Sequence, residues 1–131
     1  MQKKRLAAEI MSRKVITTRE DVLLTDVIEQ LLRYNVSCLP VVDDEGTLRG
    51  VITEYDIINF ALSGEASRTT VGESMSRKPV AFAPTDDLET IVNTCSTMRL
   101  HRAPVVEDGK LVGIISRRDI LREMLAIYRQ I

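Results

Sequence analysis

Apolar residues recur at helical spacing in two parts of the chain. One set comprises Leu24, Val27, Ile28, Leu31 and Leu32. The other comprises Leu88, Ile91, Val92 and Cys95. Residues three and four apart share one face of a helix, so this spacing predicts amphipathic helices over about 26–34 and 87–98. Asp86 and Glu89 fit a capping box at the start of the second of these helices.

Two pairs of short apolar runs, each joined by an acidic turn that contains glycine, predict two β-hairpins. We expect the first hairpin over 39–53 and the second over 103–116. A helix is predicted after each hairpin, over about 54–62 and 117–128.

The two halves of the chain repeat one another. The phrase GVITEYDI at 50–57 returns as GIISRRDI at 113–120, and MSRK at 11–14 returns at 75–78. The offset is 64 before the hairpin turn and 63 after it, because the second turn is one residue shorter. With only two copies, the repeat indicates two similar units rather than a solenoid.

Each repeat begins with a short extended segment, at 15–17 and at 80–82, so its elements follow the order β-α-β-β-α. A unit of about 50 residues is too small for an adequate core of its own. We therefore expect an α/β (α+β) fold in which the two units pack sheet to sheet about a pseudo-two-fold axis. The first unit is expected over 1–63, with a helical lead-in at its start, followed by a linker over 64–70 and the second unit over 71–131.

Composition argues against several classes of protein. The net charge of −1 offers no excess of positive charge to attract nucleic acid or an acidic membrane. No apolar run approaches the roughly 20 residues that span a membrane, and the N-terminus lacks the apolar segment of a signal peptide. Two cysteines and one histidine without metal-ligand spacing favour a reduced, cytoplasmic protein with no metal site. Because no nucleophile–base signature, Walker loop or Rossmann fingerprint occurs, we expect a binding module that is not an enzyme and requires no cofactor.

The repeated phrase contains a hydroxyl and a carboxylate three residues apart, Thr53 with Asp56 and Ser116 with Asp119. This spacing is that of a capping box, which is a purely structural role. A helix N-terminus after a strand also presents N–H groups to an anion, so capping and ligand binding can coexist in the same residues. The glycine three residues before each hydroxyl indicates a close approach by backbone or ligand.

The combined pattern resembles the CBS domain, which is named after cystathionine β-synthase. It consists of G-h-h-[ST]-x-x-D-h, where h is apolar, preceded by h-P-V-V-[DE] and a turn glycine, and opened by M-S-x-x-[PV]. The resemblance covers both repeats and hence nearly the whole chain. A tandem pair of such domains is called a Bateman module.

The resemblance implies two clefts between the units that bind adenosine-type ligands: AMP, ADP, ATP or S-adenosylmethionine. The aspartates would take the ribose hydroxyls, and backbone near Ile16-Thr17 and Val80-Ala81 would meet the adenine edge. The first cleft would be formed by Ile16, Thr17, Ser37, Cys38, Leu39, Pro40, Thr53, Tyr55 and Asp56. The second would be formed by Lys78, Val80, Ala81, His101, Arg102, Ala103, Pro104, Ser116, Arg117, Arg118 and Asp119.

The two predicted clefts differ in charge. The second contains His101, Arg102, Arg117 and Arg118, where the first has Ser37, Cys38, Glu54 and Tyr55. We therefore expect the second to prefer phosphorylated ligands, since arginine offers a planar fork to phosphate. The alternative is that the consecutive Arg117 and Arg118 are ordinary solvated residues on a first helical turn.

The resemblance implies a regulatory module that senses an adenosine-type ligand and transmits its occupancy to a partner protein. The alternatives are an S-adenosylmethionine sensor, or a structural module with empty clefts that mediates oligomerisation. Isolated pairs of this family usually form homodimers, in either a head-to-head or a head-to-tail order. The apolar residues Leu121, Met124, Leu125 and Tyr128 of the last helix would supply part of such an interface.

Overall fold

The computed structural model describes residues 5–60 and 62–130, which form two units of similar construction. The first-repeat unit comprises Ile16–Pro79. The second-repeat unit comprises the described residues of Met1–Val15 and Val80–Ile131. In chain order the elements are α1 (Ala7–Ile10), α2 (Leu24–Tyr34), β1 (Cys38–Val42), β2 (Leu48–Thr53), α3 (Glu54–Ile58), α4 (Val71–Ser74), α5 (Leu88–Met98), β3 (Arg102–Glu107), β4 (Lys110–Ser116) and α6 (Arg117–Tyr128).

The sheet of the first-repeat unit is an antiparallel hairpin of β1 and β2. Single bridges extend it on both edges, because Thr18 pairs in parallel with Val41 and Ser76 pairs antiparallel with Val51. The backbone bonds of these bridges are 3.0 Å long. The short hairpin thus acquires two further backbone partners from outside β1 and β2.

The second-repeat unit contains the same arrangement. Its β3–β4 hairpin is flanked by a parallel bridge from Phe82 to Val105 and an antiparallel bridge from Ser12 to Ile114. The segment that supplies Ser12 precedes the first repeat in sequence, whereas the one that supplies Ser76 precedes the second. Each lead-in segment therefore packs on the hairpin of the other repeat.

The two glycines of the repeated phrase are explained by these lead-in segments. A Cβ atom added to Gly50 would lie 2.3 Å from the Ser76 carbonyl oxygen, and one added to Gly113 would lie 2.4 Å from the Met11 sulfur. Both distances are far below van der Waals contact, so a side chain cannot fit without a shift of its neighbour. The close approach that the sequence indicates is thus made by protein, from residues 11–12 and 75–76.

Each unit has its own apolar core. That of the first-repeat unit consists of Leu24, Val27, Leu31, Leu39, Val41, Ile52, Ile57, Val71 and Met75. That of the second-repeat unit consists of Ala7, Ile10, Phe82, Ile91, Ala103, Val105, Ile115 and Ile120. Val71 and Met75, which follow the linker, and Ala7 and Ile10 of the N-terminal lead-in are therefore core residues. The domain limits 1–63 and 71–131 stay a prediction for the sequence repeats, while the compact units divide the chain elsewhere.

Most of the predicted elements are confirmed, including the mixed α+β class, both hairpins and the helices α2, α5 and α6. The helix predicted over 54–62 is wrong at its end, because α3 ends at Ile58 and the Phe60 N–H turns back to the Ile57 carbonyl. Neither predicted extended segment forms a strand: 15–17 is followed by a single bridge at Thr18, and 80–82 contains a single bridge at Phe82.

The capping box predicted at Asp86 and Glu89 is also wrong. The N-cap of α5 is Asp87, whose carboxylate accepts from the Thr90 N–H at 2.9 Å. Asp86 instead accepts from the Ala83 N–H at 2.8 Å and closes the preceding turn. With two consecutive aspartates the sequence alone leaves the register of the cap undecided.

Candidate functional site

The end of β2 holds Asp56 in a reciprocal cap. The N–H and the hydroxyl of Thr53 both donate to Asp56 Oδ2, each at 2.9 Å, and the Asp56 N–H donates to Thr53 Oγ1 at 3.2 Å. The capping reading of this motif is therefore confirmed. Only one carboxylate oxygen is used, since no side chain in the described part of the unit donates to Oδ1 of the half-buried Asp56.

The end of β4 repeats this geometry around Asp119. The N–H and hydroxyl of Ser116 donate to Asp119 Oδ2 at 2.8 and 3.0 Å, and the Asp119 N–H donates to Ser116 Oγ at 3.3 Å. In addition, Arg122 Nη1 donates to Asp119 Oδ1 at 2.9 Å. Asp119 is only 8% exposed. A buried carboxylate needs compensating partners, which here are the helix N-terminus, the Ser116 hydroxyl and the Arg122 guanidinium.

The first residues of the preceding strand lie beside each of these caps. Cys38 is opposite Thr53 in the hairpin, and the Glu54 N–H donates to the Ser37 carbonyl at 3.0 Å. These contacts bring predicted site residues from both strands of the first hairpin together around one helix start.

The same holds in the second-repeat unit. Arg102 is opposite Ser116, and the Arg117 N–H donates to the His101 carbonyl at 3.1 Å. Arg102 and Arg117 of the second predicted site therefore lie at the end of the hairpin from which the Asp119 helix starts.

The predicted adenine-edge segments run next to the same strands. The residue after Ile16-Thr17 donates its N–H to the Pro40 carbonyl at 3.0 Å, and the residue after Val80-Ala81 donates to the Pro104 carbonyl at 2.9 Å. Each segment is thereby fixed along the strand that opens its hairpin. Its own contact with a ligand stays a prediction.

The predicted site residues differ in burial and in the unit to which they belong. Leu39 and Ala103 are 0% and 1% exposed and belong to the two cores, so only their main chain is available to a ligand. Tyr55, in contrast, is 75% exposed. Lys78 belongs to the first-repeat unit, whereas the remaining residues of its predicted set belong to the second-repeat unit.

The two consecutive arginines of α6 behave differently. Arg117 Nε donates to the Leu100 carbonyl at 3.1 Å, and its Nη2 lies 3.5 Å from His101 Nε2. Arg118 is exposed and makes no ion pair or side-chain hydrogen bond with the described residues. Arg117 is thus anchored beside the strand entrance, while Arg118 fits the solvated alternative.

An open groove of about 320 Å³ lies between α5 and α6, and Cys95, Arg117 and Leu121 are among its lining residues. Burial raises the pKa of the Cys95 thiol, and the nearby Arg117 charge partly offsets the rise. The thiol therefore stays protonated at neutral pH, which makes it a weak nucleophile.

Two further kinds of site can be assessed within residues 5–60 and 62–130. No group of three or more histidine, cysteine or acidic side chains in these ranges is placed to hold a metal ion. None of their helices combines the length and the apolar character needed to cross a membrane.

Sequence reasoning missed Arg122, which holds the second carboxylate. The spacing Asp119-x-x-Arg122 indicates this contact in the sequence, because residues three apart on a helix lie on one face. The aligned residue in the first repeat is Asn59, so the pair has no counterpart there.

The sequence model of the CBS domain matches this chain twice, over residues 7–63 and 71–126. The chain therefore belongs to the CBS domain family and contains two such domains in tandem.

Known proteins agree with this assignment. The γ subunit of the AMP-activated protein kinase of Saccharomyces cerevisiae is 34% identical over 109 residues, which cover 76% of this chain and 34% of the subunit. The chain spans less than two thirds of the length of the first curated relatives it matches.

Two solved structures have the same fold as this chain. CBSX2 of Arabidopsis thaliana in complex with AMP has a TM-score of 0.86 at 27% identity, over 94% of this chain and 98% of that one. The CBS domain pair of protein MJ0100 in complex with 5′-methylthioadenosine and S-adenosyl-L-methionine has a TM-score of 0.82 at 28% identity. That match covers 95% of this chain and 99% of the MJ0100 chain.

Proposed function

We propose that this chain is a regulatory module that binds an adenosine-type ligand at Asp56 and Asp119. The observation that carries the proposal is the duplicated junction at which a strand-end hydroxyl fixes a carboxylate at a helix start. A carboxylate has about four acceptor positions, and the cap uses only those of Oδ2. Oδ1 of each aspartate is thus the acceptor that a ribose cis-diol would engage.

Similar proteins support adenosine as the shared part of the ligand. The Arabidopsis structure contains AMP, and the MJ0100 structure contains two adenosine derivatives that lack phosphate. We propose AMP, ADP or ATP as the ligand, because the cationic residues Arg102 and Arg117 lie, with His101, at one end of the second hairpin. S-adenosylmethionine is the alternative ligand.

We further propose that the module has no chemistry of its own and acts by passing ligand occupancy to a partner protein. The single histidine, His101, is exposed and lies against Arg117 rather than against a nucleophile. A ligand can transmit its presence only by binding one conformation better than another. The cytoplasmic location that we propose rests on the cysteine content of the sequence.

Exposed apolar side chains on α6 support a homodimer as the assembled form. Leu121, Leu125 and Tyr128 are 59%, 51% and 66% exposed on this helix. Apolar helix faces of this kind are commonly covered by a second copy. We expect Leu125→Glu to shift the mass measured by sedimentation toward the monomer, and Ser67→Glu, on the exposed linker, to leave it unchanged. A monomeric wild type at micromolar concentration would contradict the homodimer.

Calorimetric titration with AMP, 2′-deoxy-AMP and S-adenosylmethionine tests the proposed ligand class. We expect AMP to bind and 2′-deoxy-AMP to bind roughly 10- to 150-fold more weakly, because a hydrogen bond to a charged carboxylate contributes roughly 1.5–3 kcal/mol. Asp56→Ala and Asp119→Ala should each remove one site, while Asp21→Ala, an exposed aspartate outside both sites, should bind like wild type. If no adenosine compound binds, or if both site variants bind like wild type, the proposal is wrong.

A further inference from the structure

The two proposed carboxylate sites differ in one contact. In the second-repeat unit the guanidinium of Arg122 donates to Asp119 Oδ1 at 2.9 Å. In the first-repeat unit the aligned residue is Asn59, and within the described residues no side chain donates to Asp56 Oδ1. The acceptor that the proposed function assigns to a ribose hydroxyl is therefore without a side-chain donor in the described part of one unit and bonded to an arginine in the other.

Among the described residues, the one polar partner of the Arg122 side chain is Asp119, which its guanidinium contacts. Arg122 follows Asp119 by three residues on α6, which places both side chains on one face of the helix. The Arg122 side chain is 71% exposed, whereas that of Asp119 is 9% exposed. An exposed arginine can swing into water at little cost, but Asp119 would then lose a charged partner in a mostly buried position.

The consequence depends on the charge of the ligand. A neutral nucleoside that displaces Arg122 from Oδ1 offers its ribose hydroxyls to the carboxylate but nothing to the guanidinium. A ligand that carries a phosphate can accept the guanidinium in exchange, and arginine binds phosphate oxygens through two parallel N–H bonds. The same residue thus opposes one class of ligand and supports the other.

We infer that Arg122 is a specificity-determining residue, which disfavours neutral nucleosides at Asp119 and favours adenosine ligands that carry an anionic group. Asn59 leaves Asp56 open to both classes. This inference rests on the proposed function, since it concerns the ligand selected at the same two carboxylates.

The test isolates the second site in an Asp56→Ala background and measures adenosine and AMP binding by calorimetry. Arg122→Asn introduces the residue of the first repeat. We expect adenosine affinity to rise about three- to tenfold and AMP affinity to stay equal or fall, so that the AMP-to-adenosine preference drops roughly tenfold. Arg129→Asn removes the same charge just beyond α6 and should leave this preference unchanged.

The reciprocal variant tests the first site in an Asp119→Ala background. Asn59 has helical backbone angles, φ −58° and ψ −19°, so an arginine there would be placed three residues after Asp56 as Arg122 is after Asp119. We expect Asn59→Arg to weaken adenosine binding about three- to tenfold and to weaken AMP binding less.

The possible outcomes separate the two levels of the proposal. If AMP binds to Asp119 but Arg122→Asn leaves the AMP-to-adenosine preference unchanged, the inference about Arg122 is overturned and the proposed function stands. If neither compound binds to the wild type, the proposed function is overturned and the inference with it. If a background variant fails to fold, Arg122→Lys is measured in the wild type instead. This change keeps the positive charge but removes the planar guanidinium. It should still reduce the preference for AMP over adenosine at one of the two fitted sites.

Discussion

The helix starts at Thr53 and Ser116 have the same backbone construction and different surroundings. In both, a hydroxyl and an N–H from the strand end fix one oxygen of an aspartate, and each distance is between 2.8 and 3.0 Å. The first is bordered by Ser37 and Cys38, the second by His101 and Arg102. Folding constrains the cap, since it also begins a helix, whereas the neighbouring positions were able to diverge in charge. The cap residues are therefore constrained by the fold, whereas the neighbouring positions can differ in charge without changing it.

The largest expected difference in stability between the two repeats concerns their glycines, Gly50 and Gly113. In Gly50→Ala the new Cβ would lie 2.3 Å from a backbone oxygen, which can move only if the edge bridge moves. In Gly113→Ala the nearest atom, at 2.4 Å, belongs to the flexible Met11 side chain. We expect Gly50→Ala to lower the free energy of unfolding by about 3 kcal/mol and Gly113→Ala by about 1 kcal/mol, measured by urea denaturation. Equal losses would show that the lead-in segments yield equally at both edges.

A smaller difference is expected between the two carboxylates. Asp119→Ala removes a buried carboxylate to which both Ser116 and Arg122 donate. Asp56→Ala removes a half-buried carboxylate that caps a helix without an arginine partner. We expect losses in the free energy of unfolding of about 2 kcal/mol for Asp119→Ala and about 1 kcal/mol for Asp56→Ala.

The double variant Asp119→Ala with Arg122→Ala measures how much of that loss comes from the ion pair. Its loss should be smaller than the sum of the two single losses by about 0.5 kcal/mol. A strictly additive cycle would contradict an energetic contribution of the pair.

The smallest expected effect concerns Cys95, whose aligned residue in the first repeat is Leu31. Burial raises the pKa of the Cys95 thiol in the folded chain, so above about pH 8.5 the unfolded thiol ionises before the folded one. The raised pKa therefore stabilises the fold at lower pH and loses this effect as the pH increases. We expect the free energy of unfolding to fall slightly less between pH 8 and pH 10 in Cys95→Ala than in wild type. Parallel pH profiles would contradict this.

The sequence was sufficient to predict the hairpins, the main helices and the pair of caps, because each depends on local periodicity or on residues three apart. It could not predict that residues 11–12 pair with the second hairpin and residues 75–76 with the first. The two MSRK phrases are identical and therefore offer no local preference for either hairpin. The ends of α2 and α5 were predicted correctly at residues 34 and 98, whereas the end of α3 was not. The residues that follow α2 and α5, Asn35 and Arg99, both have φ 52°. Asparagine is a known signal for this left-handed conformation, and arginine is not.

The candidate site was predictable to the level of the caps and their charged neighbours. The side chains of Leu39 and Ala103 belong to the cores, which a resemblance between motifs cannot reveal, because burial depends on the packing of distant elements. The Arg122 contact followed from a helical spacing that was visible in the sequence. The absence of a matching contact around Asp56 in the described residues is seen only when the two copies are compared atom by atom.

We propose above that the carboxylates held by the two caps bind a ribose diol. A crystal structure of the chain with AMP measures this directly. We expect an oxygen of Asp56 or Asp119 to lie about 2.5–3.0 Å from the ribose O2′ or O3′ atom. A bound AMP whose ribose contacts neither carboxylate would contradict it.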